Sequence, residues 1–160
     1  MGGQFDRLKD ADFLIGYGAF CQMRKNPKDT LAVLLPHLEP ATRIPTDGFK
    51  QLLADLDADK FEPRSKAIEA FVRHGSAADT ALRQARKISK LETAQRIDQL
   101  LVAIEAEWPR SQWCVRLLED LRTSEARELL QGLSKGDPEA RLTRIARSAF
   151  ERISKSKNDE

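Results

Sequence analysis

The sequence predicts an all-α fold, a stack of about nine short antiparallel helices without a sheet. Three observations predict it. Apolar residues recur at three- and four-residue spacing along nearly the whole chain, and no stretch shows the period-two alternation of a half-buried strand. Caps and breakers punctuate that pattern at short intervals. Two stretches also echo each other, LLADLDADKFEPRSKAIEAF (Leu52–Phe71) and LLQGLSKGDPEARLTRIARSAF (Leu129–Phe150). Each reads as a two-helix unit that cannot bury its own apolar face and therefore stacks on a neighbour.

The elements follow in order. A helix is expected over Asp10–Arg24, burying Phe13, Tyr17, Phe20 and Cys21. Asn26–Pro27 breaks the chain and opens a second, with Leu31, Leu34, Leu35 and Leu38 inside and Pro36 kinking or shortening it. Glu39–Thr46 reads as a linker. The third helix starts at a Thr46 or Asp47 cap and buries Phe49, Leu52, Leu53 and Leu56. Pro63 opens the fourth, carrying Ala67, Ile68, Phe71 and Val72, and Gly75 closes it. The fifth spans Ser76–Ile88. Ser89–Glu92 has the pattern of a capping box for the sixth, with Leu91, Ala94, Ile97, Leu101 and Ile104 inward. EWPRSQ (Glu107–Gln112) reads as a second linker. The seventh helix buries Val115, Leu118 and Leu121, and the eighth, capped at Thr123 or Ser124, buries Leu129, Leu130 and Leu133. Gly136 ends it, Asp137 caps the ninth and Pro138 takes the first turn. Leu142, Ile145, Ala149, Phe150 and Ile153 form the ninth stripe. Phe5–Ile153 is read as one domain and Ser154–Glu160 as a frayed tail.

Composition excludes several classes. Of 160 residues, 41% are hydrophobic and 32% charged, so the chain can bury a core and stay soluble. No apolar run approaches the ~18 residues of a membrane helix, and the opening MGGQFDRLKDADF lacks the apolar region of a secretory signal. The net charge of +2 is modest for a dedicated nucleic-acid domain. Cys21 and Cys114 lie in apolar stripes and read as reduced core thiols, which favours a cytoplasmic setting.

No residue set carries recognisable chemistry. Asp55, Asp57 and Asp59 suggest a calcium loop, but a loop starting at Asp55 would put Lys60 where Gly belongs and Lys66 where a bidentate Glu belongs. They read as a polar turn. His37 and His74 have no His or Cys at helical spacing, so no zinc set is expected. No nucleophile has a local base, and no glycine loop has the context of a phosphate site. The expectation is no catalytic residue, no metal and no cofactor. Basic residues cluster on two faces: Arg83, Arg86, Lys87 and Lys90, and Arg141, Arg144, Arg152 and Lys155. Trp108 and Trp113 read as a plug within the core ahead of exposed binding anchors.

The chain resembles the HEAT-like helical domain that follows WD-repeat propellers in large bacterial proteins of planctomycete type. The resemblance covers about Phe5–Ile153. LLADLDADKFEPRSKAIEAF is similar to L-I-A-D-L-D-S-D-x-F-x-x-R-x-x-A in that family. LETAQRIDQLL (Leu91–Leu101) is similar to S-L-E-x-R-R-R-I-E-Q-L-L, and TSEARELLQGLSKGDPEARLTRIARSAFERI (Thr123–Ile153) matches a third motif, most distinctively at Arg141–Thr143. Arg122 stands where the family has Gly, Ser124 replaces a first-turn Pro, and Pro36 has no counterpart. The resemblance implies a right-handed HEAT-like stack, an α-solenoid fragment, and no catalytic residues or ligand.

The leading expectation is a non-enzymatic scaffold that binds a protein or a neighbouring domain of its parent chain, without membrane or small-molecule partners. The alternative is nucleic-acid binding through the basic faces. In HEAT-like stacks the second helix of each hairpin lines the concave surface, which selects Arg83, Arg86, Lys90 and Arg127 as the candidate interaction surface.

Overall fold

A computed structural model describes residues 2–155. Among the described residues every regular element is helical, with no strand. The elements are α1 (Gly2–Arg7), α2 (Phe13–Arg24), α3 (Pro27–Leu34), a 3₁₀ turn (Leu35–His37), α4 (Thr46–Leu56), α5 (Phe61–His74), α6 (Ser76–Ile88), α7 (Leu91–Ala106), α8 (Trp108–Leu121), α9 (Ser124–Ser134) and α10 (Arg141–Lys155). The stretch read as one domain is organised as two compact units. One draws on Met1–Pro40 and Glu107–Glu160, the other on Ala41–Ala106.

In the second unit α4 pairs with α5, α6 pairs with α7, and α5 packs on α7. Leu56, Ala67, Phe71, Ala78, Leu82, Ala85, Ile97, Leu100, Leu101 and Ile104 form its core, with Phe49 edge-on to Phe71 at 5.6 Å. Gly75 makes the compact join between α5 and α6. Its φ of +50° is accessible to glycine at low strain, and its N–H donates to the Phe71 and Val72 carbonyls. Ser89 does not form the expected capping box, because its hydroxyl donates to the Ala85 carbonyl at 2.8 Å and so closes α6 instead. Leu91, expected inside, is exposed; Thr93 and Leu100 take that side of α7.

In the first unit α8, α9 and α10 pack on one another, α2 packs on α8, and α1 and α3 pack on α2. The core joins Phe5, Leu8, Phe20, Met23, Leu31 and Leu34 to Leu117, Leu118, Leu130 and Leu133. Thr30 is fully enclosed there, its hydroxyl donating to the Met23 carbonyl at 2.6 Å. Pro36 ends α3 as expected, leaving the 3₁₀ turn.

Several expectations require correction. The helix α1 was not foreseen; it is short, and its burial of Phe5 is a tertiary effect. EWPRSQ is helix from Trp108 onward rather than linker, since Pro109 sits in the first turn of α8, where the missing N–H has no intrahelical partner to lose. The residue at the N-cap of α4 is Pro45, which supplies no side-chain cap, rather than Thr46 or Asp47. Asp137 accepts from Glu139 N–H in a tight turn, which delays α10 to Arg141 and leaves Pro138 outside it. Phe13, Tyr17, Leu35 and Ile68 are exposed rather than buried. Ser154 and Lys155, read as tail, belong to α10; the rest of that tail lies outside the described residues.

The internal echo holds at specific positions. Leu56 and Leu133 occupy matching places and are both fully buried, as are Ala67 and Ala146, each four residues before the motif phenylalanine. Phe71 is fully buried, but Phe150 is only half-buried, because α10 turns Thr143, Ala146 and Ala149 inward.

Candidate functional site

The polar residues singled out by sequence are largely occupied within their own units. Asp57, at the end of α4, accepts a short hydrogen bond from the Thr93 hydroxyl and lies 3.5 Å from the Arg96 guanidinium. Asp55 accepts from Gln51 Nε2 at 2.9 Å. The acidic turn thus ties α4 to α7. His74 Nδ1 stands 3.1 Å from the Thr42 carbonyl oxygen, and His37 stacks on Phe5 at 4.5 Å. Cys21 and Cys114 are free thiols. Burial pushes the Cys114 thiol up to about 12, so it stays protonated at neutral pH and is a poor nucleophile.

The four basic residues of the expected interaction surface are divided between the two units. Arg83, Arg86 and Lys90 belong to the second unit, Arg127 to the first. Arg83 chelates Asp79 one turn back, with nitrogen–oxygen distances of 2.9 and 3.1 Å. Arg86 grips Asp98 of α7 through its Nε and Nη2, and that hydrogen bonding holds the Asp98 carboxyl below its usual value. Lys90 is exposed between α6 and α7. Arg127 donates to Ser154 Oγ at 3.2 Å and lies over the Phe150 ring at 5.5 Å. On α10, Arg152 grips Glu119, and Arg141 lies over the Trp108 ring at 4.4 Å. A phosphate would have to compete with these acids and rings.

The structure instead exposes an aromatic and aliphatic face on α2. Phe13 is 64% exposed, Leu14 73%, Ile15 42% and Tyr17 47%. The α8 residue Trp113 is half-buried beside them. Its ring centroid lies 5.6 Å from Phe13, 6.1 Å from Tyr17 and 5.1 Å from Phe20. Gly16 makes room for the indole, since a Cβ there would stand 3.0 Å from Trp113 Nε1. Trp113 therefore joins both readings of the tryptophans, packing against Phe20 inside and flanking the exposed rings outside. Asp12 caps the helix, its carboxylate accepting from Leu14 N–H at 2.8 Å.

Sequence reading placed Phe13 and Tyr17 in the core because helical spacing does not show which side of an all-round apolar helix is covered. The available signal was FLIGYGAFC itself, apolar around its whole circumference. Among the described residues no group of three or more His, Cys, Asp or Glu could hold a metal, and no helix is long and apolar enough to cross a membrane. Comparison with family models, curated proteins and solved structures finds no match.

Proposed function

We propose that the chain is a non-enzymatic helical-repeat scaffold of the HEAT-like kind, working in the cytoplasm and binding a protein or a neighbouring domain of its parent chain. The observation that carries this reading is the face of α2. Four of the large apolar side chains that the chain leaves exposed fall within Phe13–Tyr17, alongside Trp113. Clustered exposed apolar groups mark interaction surfaces, and aromatic residues dominate the anchors of such surfaces. The matching burial of Leu56 with Leu133 and Ala67 with Ala146 supports the repeat.

A photo-crosslinking residue placed at Leu14 tests the proposal in cells, with the same residue at the 88% exposed Ile88 as control. Discrete protein adducts at Leu14, absent at Ile88, are expected. Equal or absent labelling at both positions would overturn the reading. Nucleic-acid binding is the rival, and three of its basic residues, Arg83, Arg86 and Arg152, are engaged by Asp79, Asp98 and Glu119. Fluorescence anisotropy with duplex and single-stranded oligonucleotides should give dissociation constants no tighter than ~1 μM near physiological salt. Tighter, salt-steep binding lost on replacing Arg83, Arg86 and Lys90 by Ala would favour the rival.

A further inference from the structure

The exposed face of α2 has a self-complementary layout. With 100° per residue, its buried side is Gly16, Ala19, Phe20 and Met23. The opposite side carries Leu14, Gly18 and Lys25, all exposed, and Cys21, half-buried against the core, with Phe13 and Tyr17 along one edge. The two ends carry opposite charge. Asp10 and Asp12 are exposed at the N-terminal end, where neighbouring Lys9 is paired with Glu107; Arg24, Lys25 and Lys28 are exposed at the other, Arg24 lying 3.6 Å from Asp120. Gly18 lies at the middle of this face. It is exposed, and nothing stands within 4 Å of where its Cβ would be. Glycine inside an exposed helical turn is disfavoured relative to alanine, and no described residue crowds the position.

We propose that this face pairs with the same face of a second copy of the chain, α2 against α2 in antiparallel register about a two-fold axis beside Gly18. This deepens the scaffold reading and rests on it. Asp10 then faces Lys25 of the second copy, Leu14 faces its Cys21, and Tyr17 lies over its Gly18, where the missing Cβ admits the ring. An isologous contact makes each of these pairings twice, which is the economy of two-fold interfaces. Antiparallel helices also set each acidic N-terminal end against a basic C-terminal end, where charges and helix dipoles agree. A different partner would have to match an acidic end, an apolar middle and a basic end in that order; the chain itself already supplies the complement.

Sedimentation equilibrium of the purified chain over a concentration series reads the proposal, with thermal melts to verify folding. A dimer is expected. Leu14→Asp should weaken it at least tenfold while leaving the melt in place, since Leu14 is exposed. Lys25→Glu should weaken it, and Asp10→Lys combined with Lys25→Glu should restore it. With a photo-crosslinker at Leu14, the purified protein should yield an adduct of twice the 18.1 kDa chain mass. A monomer up to ~100 μM, or a dimer indifferent to Leu14→Asp, would overturn the pairing. So would a monomer that sediments with anionic phospholipid vesicles through Leu14. Adducts in cells solely to a different protein would overturn self-pairing while leaving the scaffold reading intact.

Discussion

The Thr93 hydroxyl of α7 donates to the Asp57 carboxylate at the end of α4, joining two helices separated by the whole α5–α6 segment. Thr93 is buried and Asp57 exposed, so the bond sits where the core meets water. Thr93→Val keeps the shape and removes the donor. It should lower stability by about 1 kcal/mol, read as a reduced urea midpoint. Because Asp57 is engaged in this tie and no loop geometry supports it as a calcium ligand, added calcium should leave that midpoint unchanged.

Thr143 presents the opposite case. Its hydroxyl is fully enclosed on α10 and has no hydrogen-bond partner among the described residues. Thr143→Val should therefore raise stability by about 1 kcal/mol, because a desolvated polar group is replaced by an apolar one of equal shape. A lowered melting temperature would contradict this.

Arg152 and Glu119 give a pH signature. The Arg152 Nε and Nη2 groups donate to the two carboxylate oxygens, at 2.6 and 2.9 Å, and hydrogen bonding from Arg152 holds Glu119 below its ordinary 4.5. A depressed folded value means the unfolded chain takes up the proton first. The contribution is thus present above the ordinary glutamate value and is lost as pH falls through the lower folded one. Arg152→Gln should lower stability near neutral pH by about 1 kcal/mol, and the gap from the parent chain should close in acid. Urea titrations across that range check it.

Arg122 ends α8 with φ 54° and ψ 17°, a left-handed conformation that side chains disfavour. Glycine adopts it freely. Arg122→Gly should raise stability by about 1 kcal/mol. A drop would show that the Arg122 side chain makes an interaction worth more than the backbone strain.

The two motif phenylalanines should respond unequally. Phe71→Ala empties a fully enclosed site and should lower stability by ~3–5 kcal/mol. Phe150 is half-buried beneath Arg127, so Phe150→Ala should lose roughly half as much. Equal losses would mean that the repeat register extends further than the burial pattern indicates.

The legibility of these features in the sequence followed local chemistry. The limits of α6 were read as Ser76–Ile88 because Gly75 marks a boundary that only backbone conformation explains. Thr123 was legible as a cap for the same local reason, and its hydroxyl accepts from Ala126 N–H at 3.1 Å. Pro109 misled because a proline within a helix and a proline in its first turn look alike until the start is known. The candidate surface was less accessible. Arg83 and its Asp79 partner are one turn apart and visible as a pair, whereas Arg86 meets Asp98 only once α6 and α7 pack. The α2 face depended on knowing which side α8 covers, which helical periodicity does not contain.

The split composition of the first unit also bears on how the chain is made. Ala41–Ala106 emerges from the ribosome after α1–α3 and before α8, so α1–α3 must wait for their helical partners. At ~5–20 residues per second that wait lasts roughly 3–13 s. During it Phe5, Phe20, Met23 and Leu34 lack the α8 and α9 side chains that cover them in the finished molecule. The second unit draws on one unbroken segment and suffers no such delay. Nascent chains stalled just short of Trp108 should therefore present apolar N-terminal helices to a chaperone while Ala41–Ala106 is already protected from protease.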